Sequence, residues 1–183
     1  MKYKKKDLLI DGLKPQVFIK KYSTPAYCYS YKDIERNITN FKKNFRDVDP
    51  LICFAVKANP NKFLLQEIKK LGLGADVVSM GELMKALKSG IKPNKIVFSG
   101  VGKTSEEILF AIRKKILLIN VESKSEILEI EKIAKSKKKV VSIGIRLNPN
   151  TDAKTLSKIS TGKKENKFGI SEKNFLEIVE YVR

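Results

Sequence analysis

Lys57 directly follows the run Cys53-Phe54-Ala55-Val56, so its stem leaves an apolar, strand-like segment. A buried approach disfavours the ammonium form and favours the free base. A free amine can attack an aldehyde, a chemistry closed to the permanently charged guanidinium of arginine. The plainer reading is a lysine that snorkels from a strand end to water. Two further charges sit among apolar neighbours: Asp76 inside Gly74-Ala75-Asp76-Val77-Val78, and Arg146 at the end of the run that begins at Val140. A buried carboxylate needs a donor or a cation, and a buried guanidinium needs a carboxylate, phosphate or carbonyl. The segment Gly100-Val101-Gly102-Lys103-Thr104 superficially resembles a phosphate-binding loop. It lacks the Gly-x-x-x-x-Gly-Lys-Ser/Thr spacing and reads as a strand-to-helix turn.

Positioning these groups falls to a repeating unit. Short apolar runs occupy Tyr27 to Tyr31, Leu51 to Val56, Ala75 to Val78, Lys95 to Ser99, Leu117 to Val121 and Val140 to Leu147, with starts 20 to 24 residues apart. Between them, Ile34, Ile38, Phe41 and Phe45, then Leu64, Ile68 and Leu71, recur at spacings of three and four and mark single helix faces. Ser105-Glu106-Glu107 and Ser125-Glu126 are helix-start signals, and Gly72 and Gly90 are stop signals. Strands and helices alternating at so short a period imply a parallel sheet, either an eight-unit barrel or an open doubly wound sheet. Regular spacing favours the barrel.

The expected class is therefore α/β, with about six of the eight units of a (β/α)8 barrel over residues 26–183 and a last helix from Glu172 to Val182. Residues 1–25 fall outside the repeat; there, Leu8-Leu9-Ile10 and Val17-Phe18-Ile19 are expected to pair as strands of a separate β domain. A complete barrel takes about 250 residues, so an N-terminal fragment is expected. Barrel active sites gather at the C-terminal ends of the strands. That rule selects Lys57, the stretch Ser79-Met80-Gly81-Glu82, the Gly100 to Lys103 turn and Arg146-Leu147-Asn148-Pro149.

Composition narrows the function classes. With 42% hydrophobic and 8% aromatic residues the chain reads as globular. No run approaches the roughly 18 apolar residues of a membrane span, and the start Met1-Lys-Tyr-Lys-Lys-Lys lacks the apolar stretch of a signal peptide. A cytoplasmic protein with no membrane partner is expected. Histidine is absent and the two cysteines, Cys28 and Cys53, are isolated, so no metal site is expected. The net charge of +18 comes from 33 lysines and only 5 arginines. The lysines are scattered over helix faces, and aromatic residues do not interleave with arginine as in RNA-binding surfaces. No nucleic-acid partner is expected.

Four ordered segments resemble the diaminopimelate decarboxylase family: Phe54-Ala55-Val56-Lys57-Ala58-Asn59-Pro60, Gly74-Ala75-Asp76-Val77-Val78-Ser79-Met80-Gly81-Glu82-Leu83, Arg146-Leu147-Asn148-Pro149, and Thr161-Gly162-Lys163-Lys164-Glu165-Asn166-Lys167-Phe168-Gly169-Ile170. The resemblance implies a barrel that binds pyridoxal 5'-phosphate (PLP). In it Lys57 is the catalytic residue that carries the cofactor covalently, Asp76 and Glu82 line the cofactor side, and Arg146 lies beneath the pyridoxal ring. It implies a carboxy-lyase that converts meso-2,6-diaminopimelate to L-lysine and carbon dioxide, the last step of lysine biosynthesis. The full-length enzyme would act on this small diamino acid as a homodimer, and residues 1–183 alone would be inactive.

Decarboxylases of ornithine, arginine or carboxylated polyamines share the Lys57 and Asp76 settings, and a non-catalytic PLP-binding barrel is a further alternative. The Thr161 to Ile170 segment favours diaminopimelate. One departure is Leu156, in the stretch Lys154 to Lys158 where the family usually carries a histidine. By the same resemblance, the ring-stacking histidine, the glycine-rich phosphate loop and the substrate-binding residues belong to sequence beyond Arg183.

The scatter of lysines predicts that random duplex DNA binds no more tightly than about 10⁻⁶ M at physiological salt, the range of non-specific complexes. A salt titration of binding checks this, and submicromolar affinity that persists at that salt would contradict it.

Overall fold

The computed structural model describes residues 1–151 and 168–182. Contacts divide the chain into two units, Met1–Pro50 and Leu51–Arg183. In the first, strand β1 (Lys2–Lys4) pairs antiparallel with β2 (Asp7–Leu9), and helices α1 (Pro15–Lys21) and α2 (Tyr31–Asn44) follow. Leu8 and Leu9 are thus in a strand, as expected, but Val17-Phe18-Ile19 is helical and does not pair with them. Pro15 supplies the reason: its fixed φ suits the first helical turn, where its missing N–H is not needed.

The strand expected over Tyr27 to Tyr31 is not formed either. A strand needs a ladder, and none is made there among the described residues. Ser30 instead caps α2, accepting a 3.1 Å hydrogen bond from the Asp33 amide. The expected spacing within α2 is realised, with the Phe41 and Phe45 rings stacked 4.7 Å apart.

In the second unit β3 (Cys53–Ala55), β4 (Gly74–Val77), β5 (Ile96–Phe98), β6 (Leu118–Val121) and β7 (Ile143–Ile145) form one parallel sheet in sequence order. Each strand lies beside its predecessor, the progression of a (β/α) barrel; a doubly wound sheet would reverse its order at a switch point. Strand β8 (Leu147–Asn148) resumes one residue after β7 and pairs in parallel with β9 (Ile170–Ser171). The sequence rhythm did not single out β9.

Helices α3 (Lys62–Lys70), α4 (Met80–Lys88), α5 (Ser105–Lys114) and α6 (Lys124–Lys137) alternate with these strands, and α7 (Glu172–Val182) follows β9. Their apolar faces make the core. Leu65, Leu83, Ile108, Ala111, Ile127 and Ile130 pack with Ala75, Val77, Ile96, Phe98, Ile119 and Val121 of the strands, all buried. Each large side chain so buried contributes about 1.5–3 kcal/mol.

Three helices start on one device, a hydroxyl followed three residues later by glutamate: Ser79 and Glu82, Thr104 and Glu107, Ser123 and Glu126. In each, the hydroxyl oxygen accepts from the glutamate amide at 3.2–3.3 Å. The carboxylate turns back to a backbone amide at or just before the cap: Val78, Thr104 and Glu122 respectively. For α5 and α6 the caps are Thr104 and Ser123, ahead of the serines that the sequence suggested.

Gly74 is the most closely approached of the described glycines. A Cβ there would lie 2.1 Å from the Lys95 carbonyl oxygen and 2.9 Å from Cys53 Sγ, and a backbone oxygen cannot swing aside. Gly74→Ala in the complete protein is expected to cost about 2 kcal/mol or more through overpacking. Denaturant-unfolding midpoints of the two proteins measure the loss, and equal midpoints would contradict it.

Candidate functional site

Successive side chains on a strand point to opposite faces of the sheet. Since Ala75, Val77, Ile96, Phe98, Ile119 and Val121 belong to the core, the alternate residues Asp76, Val97, Leu118 and Asn120 face the other way. Past the C-terminal ends of the strands this second face opens into a cleft of about 620 Å³. Pockets for small ligands commonly span roughly 300–1,000 Å³. Lys57, Asp76 and Arg146 all line it, so three of the four residues singled out in the sequence meet in one place.

Lys57 sits in a 3-10 turn, Val56–Ala58, that ends β3. The turn is closed by the Asn59 amide donating to the Val56 carbonyl at 3.0 Å. Asn59 Oδ1 then accepts from the Asn61 amide at 3.0 Å, and Asn61 caps α3. Lys57 is exposed and has no hydrogen-bond or ion-pair partner among the described residues. The desolvation anticipated from its apolar approach is not supplied by the described residues, which leave Lys57 exposed after β3.

Asp76 is half-buried and accepts a short hydrogen bond from Ser99 Oγ, which in turn accepts from Asn120 Nδ2 at 3.0 Å. Its partner is thus a hydroxyl. Burial, and then the negative charge of Asp76, push the Cys53 thiol above its ordinary range, with Lys95 acting in the opposite sense.

Arg146 donates through Nη1 to Glu122 Oε1 at 3.0 Å, and its guanidinium lies 5.1 Å from the Phe168 ring centroid. The other Glu122 oxygen accepts from the Gly169 amide at 2.8 Å. At Gly169, with φ +79°, a Cβ would come within 3.0 Å of the Arg146 carbonyl oxygen, so only glycine allows this approach. Glu122, 6% exposed, therefore ties β6, Arg146 and the turn into β9 together.

Glu82 does not line the cleft; Oε2 holds the Val78 amide at 3.0 Å at the start of α4, and Val78 is a cleft residue. In the turn after β5, Lys103 is buried with its ammonium on three acceptors: the Gly100 carbonyl at 2.6 Å, the Asn120 carbonyl at 2.7 Å and Glu126 Oε1 at 2.6 Å. Gly100 and Asn120 line the cleft, so this ion pair braces its wall.

Ser99 was not legible as a site residue, and Lys103 entered only as part of the Gly100 to Lys103 turn. Asn120 and Glu122 carried a signal, as polar positions alternating with Ile119 and Val121 in an otherwise apolar strand. Of the Thr161 to Ile170 segment, residues 161–167 lie outside the described residues, as does Leu156.

Residues 31–183 match the model of the family described as pyridoxal-dependent decarboxylase, pyridoxal binding domain. The chain is 52% identical over 157 residues to the diaminopimelate decarboxylase of Helicobacter pylori strain J99, covering 86% of this chain and 39% of that protein. It is 40% identical over 181 residues to the diaminopimelate decarboxylase of Aquifex aeolicus, covering 99% and 43%. The crystal structure of the Helicobacter pylori enzyme complexed with L-lysine superposes with a TM-score of 0.88 at 47% identity, over 92% of this chain and 43% of that one. The chain thus spans about two fifths of the length of the curated relatives it matches.

The buried ion pair yields a stability prediction. Lys103→Met leaves the Glu126 carboxylate buried without its cation, at an expected cost of about 3–5 kcal/mol. Adding Glu126→Gln removes the stranded charge and should recover much of the loss. Unfolding midpoints of both variants of the complete protein measure this; a double variant less stable than Lys103→Met would contradict it.

Proposed function

Because the chain belongs to the pyridoxal-dependent decarboxylase family through its pyridoxal-binding domain, we infer that it is the lysine-bearing part of an enzyme that decarboxylates meso-2,6-diaminopimelate to L-lysine. The observation that carries this reading is the free amine of Lys57 at the C-terminal edge of the sheet, opening with Asp76 and Arg146 into one cleft. The residues present fit the cofactor. A carbonyl compound needs an amine not already engaged by a protein acceptor, and Lys57 is one among the described residues.

Lys57 would hold the cofactor covalently, Asp76 would offer a fixed carboxylate, and Arg146, braced by Glu122 and Phe168, would bound the cleft with a planar cation. Glu82 serves at one remove, holding the amide of Val78. Bound there, PLP supplies an electron sink for the pair left on the α-carbon when the carboxyl group departs as carbon dioxide. The chain's part is to orient the groups and surround the reacting centre with fixed dipoles.

Substrate choice rests on the Helicobacter pylori and Aquifex aeolicus relatives, which carry the name diaminopimelate decarboxylase at 52% and 40% identity. The resemblance also has the complete protein acting as a homodimer in the cytoplasm, with the β1–β2 hairpin contributing to a separate β domain. Among the described residues no helix is long and apolar enough to cross a membrane.

In the complete protein, borohydride reduction with PLP should fix a pyridoxyl group on the peptide containing Lys57, and carbon dioxide should be released from meso-2,6-diaminopimelate in preference to ornithine. Lys57→Arg keeps the charge but has no free base; it should lose the label and lower turnover by more than about a thousandfold. A label on Lys103 or Lys167, or one that survives the substitution, would overturn the assignment of Lys57. Faster turnover of ornithine would overturn the substrate.

A further inference from the structure

Asp76, Ser99 and Asn120 come from β4, the end of β5 and β6, and all three line the cleft with Lys57. Hydrogen bonding runs through them in one direction. The Asn120 amide Nδ2 donates to Ser99 Oγ at 3.0 Å, and Ser99 Oγ donates to Asp76 Oδ1. A serine hydroxyl has a single proton. With an N–H already directed at its oxygen, Ser99 gives that proton to the carboxylate.

Asn120 is oriented in turn by the next strand, where it pairs with Gly144. A Cβ at Gly144 would lie 2.4 Å from Asn120 Oδ1, so the missing side chain is the space that the carboxamide oxygen occupies. Four adjacent strands thus supply a carboxylate, a hydroxyl, a carboxamide and a vacancy. Asp76 has no second donor among the described residues.

We propose that Ser99 and Asn120 are positioning residues that hold the Asp76 carboxylate toward the cleft it shares with Lys57. This rests on the reading of Asp76 as a cofactor-holding group. Ser99 and Asn120 then act through Asp76, and the direction of donation is what matters.

The test is the dissociation constant of PLP from the complete protein, followed by equilibrium dialysis and by the visible absorbance of the bound cofactor. Asp76→Asn and Ser99→Ala should each weaken binding by about tenfold, the scale of a lost hydrogen bond to a charged group, and Ser99→Thr should stay within about twofold of wild type. Asn120→Asp keeps the shape but replaces the donor by an acceptor. It should weaken binding as much as Ser99→Ala, although a packing role alone would leave it near wild type. Ser99→Ala added to Asp76→Asn should cause no further loss. Additive losses, a silent Asn120→Asp, or a Ser99→Thr as weak as Ser99→Ala would overturn the proposal. A silent Asp76→Asn, with the wild type still labelled at Lys57, would instead remove Asp76 from the cofactor site and the proposal with it.

Discussion

A parallel strand has two faces, and the helices α3 to α6 claim one of them for the apolar core. Everything polar that the strands carry must then collect on the other face or beyond the strand ends. Asp76, Asn120, Glu122 and Arg146 are where they are because Ala75, Val77, Ile119, Val121 and Ile145 are needed for packing. The cleft is in this sense the complement of the core, and the two-residue period that builds one also builds the other.

Groups collected in this way have to be paired, and the pairing does the positioning. Glu122 has both oxygens engaged, one by Arg146 and one by the Gly169 amide. Glu126 divides its oxygens between Lys103 and the Glu122 amide. Stripping such charges of water costs several kcal/mol per ion, so these pairs are weak evidence for net stability. What they provide is a fixed geometry: Lys103 draws the Gly100 and Asn120 carbonyls onto one ammonium, and both residues belong to the cleft wall. The one direction of donation from Asn120 through Ser99 to Asp76 belongs to the same pattern.

The strand and helix rhythm was readable over Leu51 to Ile145 because each strand there must bury β-branched residues against a helix, and that demand writes itself into local sequence. It failed at Tyr27 to Tyr31, where an apolar run has no ladder to join, and at Val17 to Ile19, where Pro15 favours a helical turn over a strand. It passed over Ile170-Ser171, whose pairing with β8 is set by the neighbouring strand and the Gly169 turn rather than by an apolar run of its own. Lys57, Asp76 and Arg146 could be found singly, from charges set in apolar surroundings. Their partner Ser99 could not, and Glu122 showed only as a polar position after an apolar strand, since a contact across strands more than twenty residues apart does not write its partner into local sequence. Lys103 was read as part of an ordinary turn for the same reason: its three acceptors lie in the turn itself, at the end of β6 and on α6.

In the proposed enzyme, Lys57, Asp76 and Arg146 bound the cofactor site. A crystal structure of the complete protein with PLP tests it most directly. Electron density should run continuously from Lys57 Nζ into the cofactor, with Asp76 and Arg146 bordering the ring and Ser99 still donating to Asp76. Cofactor density joined to another lysine, or lying outside this cleft, would contradict it.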